Sequence, residues 1–267
     1  MRKYRPISLI NTGGKLLEKL LINRINHHIR TNKLLNRNQY GFILQSSMVD
    51  AAMAVKQYAL SHIQQKKYII MVSLDVQGAF DVAWWPSILC NLHAFNCPRN
   101  LYNLARSYFS ERVVNLHTNT CRVERNVTAG CPQGSCCGPG FWNVLYNDLL
   151  NMKYSSYTKL IGFVDVFAIL TYGTTLSEAE AYANSDLATI EKWEWDNKMK
   201  FNVSKSKAMI ITRKRRQDKI NIFLYNGSLE QVEVMKYLGI HFDSRLLFYK
   251  HVEHVAEKSR ALNVHAK

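Results

Sequence analysis

Two aspartates, each at the end of an apolar run, are the first residues in the sequence that could carry out chemistry. Asp75 ends the run 68–74, and Asp165 ends the run 159–164 just before another apolar run begins. Short runs of this composition predict buried strands, so each carboxylate is expected at a strand tip. Two carboxylates on neighbouring strands can hold two divalent ions about 4 Å apart, an arrangement that supports phosphoryl transfer. Strand-end aspartates also serve as simple turn residues, so the spacing alone leaves both interpretations open.

Apolar periodicity predicts the elements that must position these aspartates. Helices are expected at 16–29, 48–66, 84–92, 99–109, 141–152 and 177–200, with a terminal helix from Tyr249. Strands are expected at 68–76, 113–117, 120–128, 159–165, 166–171, 208–212, 220–225 and 237–242. Ser177, followed three residues later by Glu180, predicts a capping box for the long helix. The strands that end at Asp75 and Asp165 should be adjacent in one antiparallel sheet. The pattern indicates a single α+β unit with a small C-terminal appendage.

The charge balance points to a polyanionic partner. Lysine and arginine outnumber aspartate and glutamate by 35 to 20, which gives a net charge of +15 at pH 7. Hydrophobic residues make up 47% of the chain, enough for a folded core, which excludes a disordered basic tail. No apolar stretch reaches the roughly 18 residues of a membrane span, and no signal peptide opens the sequence. We therefore expect an intracellular protein of the nucleus or cytoplasm, with no membrane partner.

The residues around Asp75 carry a family resemblance. The segment 73–85, SLDVQGAFDVAWW, resembles motif A of reverse transcriptases, in the form found in non-LTR (LINE-type) retrotransposons of the R1 and jockey groups. Other segments resemble the remaining motifs in the family's order: 5–19 and 38–42 the fingers motifs, 130–139 motif B, 163–165 motif C, 201–207 motif D, and 236–240 the segment after it. Because these ordered matches cover nearly the whole chain, the sequence is identified as a member of this family.

The resemblance implies an architecture. It is an α+β polymerase fold of fingers and palm, with an antiparallel palm sheet packed on helices and a truncated thumb. The whole chain, 1–267, would be one reverse transcriptase domain. Its parts would be fingers at about 1–70, palm mainly at 71–110 and 129–242, a fingers/palm hairpin at 111–128, and the start of the thumb at 243–267. An endonuclease domain is expected to be absent.

The resemblance also assigns the metal chemistry. Asp75 and Asp165 would bind the two metal ions, and the main-chain carbonyl of Val76 could take one coordination position. The expected cofactor is Mg²⁺, with Mn²⁺ possible. Lys205 matches a motif D lysine that could protonate the pyrophosphate leaving group, although a solvated surface lysine is the alternative.

Substrate recognition follows from the same resemblance. Phe80 matches the bulky side chain that blocks a ribose 2′-hydroxyl, the group that distinguishes ribonucleotides from deoxynucleotides. A core phenylalanine is the alternative. Gln133 and Gly134 would contact the nascent base pair and its template. In a polymerase with this net charge, the residues expected to bind nucleic-acid phosphates are Arg5, Arg213, Lys214, Arg215 and Arg216. A solvated surface loop is the alternative for the run 213–216. The partners would be an RNA template, a DNA primer and deoxynucleoside triphosphates.

Two departures from the family pattern bear on activity. Motif C normally carries two adjacent aspartates, but Val166 stands at the second position. The fingers segment 43–45, Ile-Leu-Gln, lacks the usual basic residue. The leading hypothesis is an RNA-directed DNA polymerase. The alternative is a decayed, catalytically inactive copy that folds and only binds nucleic acid. An RNA-dependent RNA polymerase is a third hypothesis, and Phe80 argues against it.

Overall fold

The structure is a computed structural model that describes residues 7–118, 121–214 and 219–264. The helices are α1 (Thr12–Thr31), α2 (Met48–Gln64), α3 (Ala79–Val82), α4 (Trp85–Ala94), α5 (Arg99–Phe109), α6 (Gly138–Leu150), α7 (Leu176–Asp196) and α8 (Tyr249–Val264). The strands are β1 (Tyr68–Asp75), β2 (Val113–His117), β3 (Arg122–Asn126), β4 (Thr158–Phe163), β5 (Val166–Gly173), β6 (Lys207–Ile211), β7 (Phe223–Leu224), β8 (Gly227–Ser228), β9 (Glu230–Gln231), β10 (Val234–Tyr237) and β11 (Ile240–Asp243).

The chain forms two compact units. The helical unit comprises Met1–Arg37, Gln77–Met152 and Glu194–Lys200, and the sheet unit comprises Asn38–Val76, Lys153–Trp193 and Phe201–Lys267. The motif segments named above are divided between the two units.

The sheet unit is built on a mainly antiparallel sheet with the strand order β4-β5-β1-β6-β9. β1 lies in the middle and pairs antiparallel with β5 and β6, whereas β9 runs parallel to β6. Ile69 through Val72 and Leu74 in β1 are fully buried. Burying each such side chain contributes about 1.5–3 kcal/mol, which explains why this apolar run forms the central strand.

Helix α2 covers the sheet and closes the core of this unit. It begins with a capping box in which the side chains and amides of Ser47 and Asp50 bond reciprocally. Its small buried residues, among them Ala51 and Val55, pack in one cluster with β1, β4, β5, β6, β10 and β11. Tyr237 joins this cluster, and its hydroxyl donates a 3.3 Å hydrogen bond to the carbonyl of Ile161.

The helical unit is organised around α6, which is buried along nearly its whole length. Gly140 allows the close approach of α1, because a Cβ at this position would lie 2.3 Å from Cδ1 of Ile22. Phe141 packs against Phe109 of α5, with ring centroids 4.7 Å apart. The hairpin β2–β3 of the same unit is exposed along both strands.

Several boundaries differ from the sequence prediction, and two of the differences have a clear local cause. Helix α7 begins at Leu176 rather than Ser177, and its capping pair is Thr175 with Glu178 rather than Ser177 with Glu180. The expected strand at 237–242 is instead part of the hairpin β10–β11. Its turn residues Leu238 and Gly239 both have positive φ, as a tight two-residue hairpin turn requires.

Among the described residues, no helix has both the length and the apolar surface that crossing a membrane requires.

Candidate active site

Asp75 and Asp165 lie at one end of the central sheet. Asp75 is the last residue of β1 and pairs with Val166, the first residue of β5. The amide of Val76 donates a 2.9 Å hydrogen bond to the carbonyl of Asp165. One detail of the prediction is wrong: β4, the strand leading into Asp165, lies one strand beyond β5, and only the strand that follows Asp165 neighbours β1. The backbone still fixes the Asp165 turn beside the tip of β1.

The turn that carries Asp165 is strained and tightly covered. Val164 adopts φ +56°, a left-handed conformation that is unfavourable for a β-branched residue. Gly41 lies directly against it, because a Cβ on Gly41 would be 2.3 Å from the amide nitrogen of Val164. The flanking segment is fixed by the amide of Tyr40, which donates to the carbonyl of Gly162 at 2.9 Å. The fingers-type segment 38–42 therefore supports the turn, and only glycine fits at position 41.

Lys205 reaches the same end of the sheet from the loop before β6. Its Nζ lies 3.2 Å from Oδ1 of Asp75. The loop is anchored by the amide of Asn202, which donates a 2.8 Å bond to the carbonyl of Asp75. The Asp75 side chain is 22% exposed and that of Lys205 is 61% exposed. A cationic group thus stands beside the carboxylate where the sequence predicts a metal ion.

The donor set suits a hard divalent cation. In the predicted site, Asp75 and Asp165 would supply carboxylate oxygens, and the main-chain carbonyl of Val76 would be a further ligand. Within the described ranges, no group of three histidine, cysteine or acidic side chains converges on a metal position. Mg²⁺ is commonly held by one or two carboxylates together with waters and substrate phosphates, so two aspartates fit such an ion.

Phe80 belongs to the helical unit. It lies in α3 and is half-buried, and its ring centroid is 5.4 Å from that of Trp142 in α6. Its carbonyl accepts a hydrogen bond from the amide of Cys131, and the amide of Gly130 donates to Ala83 at 2.8 Å. These bonds join α3 to the glycine-rich loop that carries Gln133.

Gln133 and Gly134 lie in that loop, immediately before α6. The carbonyl of Gln133 accepts a 2.8 Å hydrogen bond from the amide of Ser8. Gly134 has φ +97°, and a Cβ there would lie 3.0 Å from the carbonyl oxygen of Ser8. Gly134 is exposed and Gln133 half-buried. The loop conformation at Gly134 therefore requires glycine.

Only part of the predicted phosphate-binding set is described. Arg213 and Lys214 follow β6 and are exposed. Lys214 places its Nζ 3.7 Å from the centroid of the Tyr68 ring, a cation–π contact. Arg5, Arg215 and Arg216 lie outside the described residues.

The structure thus divides the predicted site residues into two sets. Asp75, Val76, Asp165 and Lys205 are brought together in the sheet unit, whereas Phe80, Gln133 and Gly134 belong to the helical unit. Sequence reasoning assigned no role to Gly41. A glycine next to an aromatic residue inside a recognised motif was the signal available for it.

The comparisons with known proteins agree with the motif order. The family model described as reverse transcriptase (RNA-dependent DNA polymerase) matches residues 1–242. The RNA-directed DNA polymerase from mobile element jockey of Drosophila funebris is 28% identical over 255 residues, which cover 93% of this chain and 28% of that protein. The Pol polyprotein from type-1 retrotransposable element R1 of Bradysia coprophila is 30% identical over 258 residues, covering 96% of this chain and 25% of that protein. The chain spans about a quarter of the length of these relatives.

Solved structures show the same fold. Apo telomerase from Candida tropicalis, truncated from its C-terminal domain, has a TM-score of 0.60 at 10% identity, covering 87% of this chain and 44% of that one. Telomerase from Candida albicans, in complex with a fragment of telomeric RNA, has a TM-score of 0.59 at 13% identity, covering 85% of this chain and 37% of that one.

These similarities confirm the predicted fingers–palm polymerase architecture, and the named relatives confirm the resemblance to R1 and jockey elements. The family uses divalent metal ions and binds a nucleic-acid template and primer. The chain belongs to the reverse transcriptase family.

Proposed function

We propose that this chain is the polymerase domain of a non-LTR retrotransposon and extends a DNA primer on an RNA template. The observation that carries the proposal is the meeting of Asp75, the Asp165 turn and Lys205 at one end of the central sheet. Two aspartates at one edge of a sheet can hold divalent ions, and a neighbouring lysine can interact with phosphate oxygens. This combination suits phosphoryl transfer.

In this mechanism Asp75 and Asp165 would hold the metal ions, Mg²⁺ or Mn²⁺, and the carbonyl of Val76 would be a further ligand. The bound ions would lower the pKa of the primer 3′-hydroxyl and neutralise charge on the triphosphate. The 3′-oxygen forms a bond to the α-phosphorus as the bond to the pyrophosphate oxygen breaks. The hydroxyl proton leaves to solvent, and the Lys205 ammonium gives a proton to the departing pyrophosphate.

Substrate selection is assigned to the remaining predicted residues. Phe80 would exclude a ribose 2′-hydroxyl, and Gln133 and Gly134 would contact the nascent base pair and template. Arg5 and the basic segment 213–216 would follow template or primer phosphates, a role that makes hybrid binding weaken steeply with salt. The substrates would be deoxynucleoside triphosphates.

The proposal also divides the chain into the subdomains of a polymerase. The fingers would occupy about 1–70, the palm mainly 71–110 and 129–242, the intervening hairpin 111–128, and the start of the thumb 243–267. The chain would act inside the cell, in the nucleus or cytoplasm.

Primer extension on an RNA template tests the proposal. Asp75→Asn and Asp165→Asn should each reduce extension to background, because a neutral amide is a much weaker ligand for a hard cation. Asp196→Asn, at the exposed C-terminal end of α7, is the matched control and should leave extension unchanged. Chelation should abolish extension, and added Mg²⁺ or Mn²⁺ should restore it. Extension that survives Asp75→Asn would exclude the two-metal site.

Val166 favours one second candidate function. This half-buried apolar side chain pairs directly with Asp75, where the family pattern has a carboxylate. The alternative is a chain that binds an RNA–DNA hybrid without polymerising. Hybrid binding that is intact under every metal condition, with extension always at background, would establish this alternative.

A further inference from the structure

Glu18 is a buried acid in α1, a helix whose other charged residues are all basic. It is the only acidic residue in α1 and is 3% exposed. Its position falls on the buried stripe of the helix that continues with Leu21, Ile22 and Ile25. A carboxylate is rarely this buried unless its oxygens are hydrogen-bonded. The groups that donate to Glu18 therefore show which part of the structure it holds in place.

The contacts of Glu18 converge on the loop before α6. Oε1 accepts hydrogen bonds from the Tyr108 hydroxyl at 2.7 Å and from the Ser135 hydroxyl at 3.0 Å. Oε2 accepts a 2.7 Å bond from the amide of Cys136. The thiol of Cys137 donates to the carbonyl of Glu18 at 3.2 Å. Three consecutive loop residues therefore bond to one residue of α1.

The bonds to Glu18 complete the start of α6. This helix has no acidic residue in its first turn, and its cap residue Cys137 makes no side-chain capping bond. Instead the Ser135 hydroxyl accepts from the Cys137 amide at 3.1 Å while donating to Glu18. A carboxylate beside a helix N-terminus is electrostatically favourable, so Glu18 supplies from α1 the charge that α6 lacks.

Among the described residues, the ion pairs involve side chains other than Glu18. The guanidinium of Arg112 lies 4.3 Å from the centroid of the Tyr108 ring rather than on the carboxylate. Burial raises the pKa of the Tyr108 hydroxyl further above neutral pH, so this group is a proton donor to the carboxylate. The direct contacts of the carboxylate oxygens are hydrogen bonds, and such networks are sensitive to the loss of any one partner.

We infer that Glu18 is a positioning residue that holds the loop 132–137 and thereby sets the place of Gln133 and Gly134 for nucleotide selection. This inference rests on the proposed function. The loop is held from two sides: the Ser8 amide bonds Gln133 on one side, and Glu18 bonds Ser135 and Cys136 on the other. Releasing the second side removes the anchors at Ser135 and Cys136 and loosens the position of Gln133.

The experiment combines hydrogen exchange with steady-state kinetics on the full chain. Glu18→Ala should speed exchange of the Cys136 amide at least about 10-fold, since its acceptor is lost. It should raise the KM for deoxynucleotide about 10-fold with a smaller change in kcat, because binding geometry rather than chemistry is disturbed. Glu18→Gln should recover most of both effects, since an amide oxygen can accept from Cys136 while the two hydroxyls turn to accept from its NH₂.

Two further variants keep the test decisive. Tyr108→Phe removes one donor to Glu18 without removing the ring, and should give the same changes in weaker form. It serves as the test variant if Glu18→Ala does not fold. Lys19→Ala, at the exposed neighbouring position, is the control and should change neither readout. Exchange within α6 at 141–150 serves as the internal reference and should stay constant if the effect is local.

The outcomes separate this inference from the proposed function. Unchanged exchange at 133–137 in both Glu18→Ala and Tyr108→Phe would overturn the inference. Faster exchange with an unchanged KM would also overturn it, because the bonds would then be structural only. If the unmodified chain extends no primer, the proposed function fails, and the exchange result alone decides whether Glu18 holds the loop.

Discussion

Nζ of Lys205 lies 3.2 Å from Oδ1 of Asp75, although 130 residues separate them in the chain. The contact depends on the amide of Asn202, which bonds the carbonyl of Asp75 and draws the loop before β6 to the tip of β1. An exposed pair of this kind adds little to stability. Its value is in placing a proton donor beside a proposed metal ligand.

Substituting Lys205 tests this role. Lys205→Ala should lower the extension rate about 100-fold if the ammonium protonates the leaving group. Lys205→Arg should be equally slow, because arginine preserves the ion pair but does not give up a proton near neutral pH. Lys207→Ala, which removes a nearby lysine paired with Glu230, is the control and should extend normally. Full activity in Lys205→Arg would reduce Lys205 to an electrostatic partner of Asp75.

A carboxylate introduced at position 166 should make the melting temperature depend on divalent metal ions. Val166 pairs directly with Asp75, so Val166→Asp places like charges opposite each other, which is destabilising. The variant should melt at a lower temperature than the unmodified chain in chelator and regain stability with Mg²⁺ or Mn²⁺. Its primer extension should rise about 10–100-fold.

Val166→Asn is the matched control for that change, because it adds a polar group of the same shape without charge. It should show neither the metal-dependent melting nor the gain in extension. A Val166→Asp protein whose melting temperature ignores divalent ions would contradict the placement of the metal site.

The backbone at Val164 should limit stability. Its φ of +56° is a conformation that asparagine adopts at lower energetic cost than valine. Val164→Asn should therefore raise the free energy of unfolding by about 1 kcal/mol, measured by urea denaturation. Val113→Asn, at an exposed position in β2, is the control and should give no gain. A loss of stability in Val164→Asn would mean that contacts of the valine side chain outweigh the backbone strain.

The packing of α8 against β11 should weaken in acid. The pKa of His241 is lowered, first by burial and then by the positive groups around it. These groups are Lys236 in β10 and His251, His254 and Lys258 in α8. The unfolded chain then binds the proton more readily than the folded one. The contribution of His241 is thus fully present above its unfolded pKa, near 6.5, and is lost as the pH falls through its lower folded value.

Melting temperatures at pH 7.5 and pH 5.5 measure this effect. The unmodified protein should melt lower at pH 5.5, and His241→Phe should show a smaller difference between the two pH values. His27→Gln, on the exposed face of α1, should behave like the unmodified chain. An identical pH response in His241→Phe would assign the effect to other groups.

Two local features, the cap of α7 and the turn at Gly239, could not be placed from the sequence and became clear only in the structure. Residues 175–180 contain two overlapping capping patterns, Thr175 with Glu178 and Ser177 with Glu180, and local chemistry favours neither. The structure uses the first. In the same way Gly239 stood within an apolar run that suggested one strand, and the buried positions of Tyr237 and Phe242 instead require a turn between two short strands.

The sequence by itself determined the strands that carry Asp75 and Asp165, because apolar and β-branched composition is a local property with a local consequence. It also determined the family, because the motifs are linear. Only the tertiary structure decided that β5 rather than β4 neighbours β1, that Lys205 meets Asp75, and that Glu18 bonds Ser135 and Cys136. These relationships join segments that are distant in the chain. The conformational entropy lost in closing each loop is offset by packing between segments, which the sequence of one segment alone does not reveal.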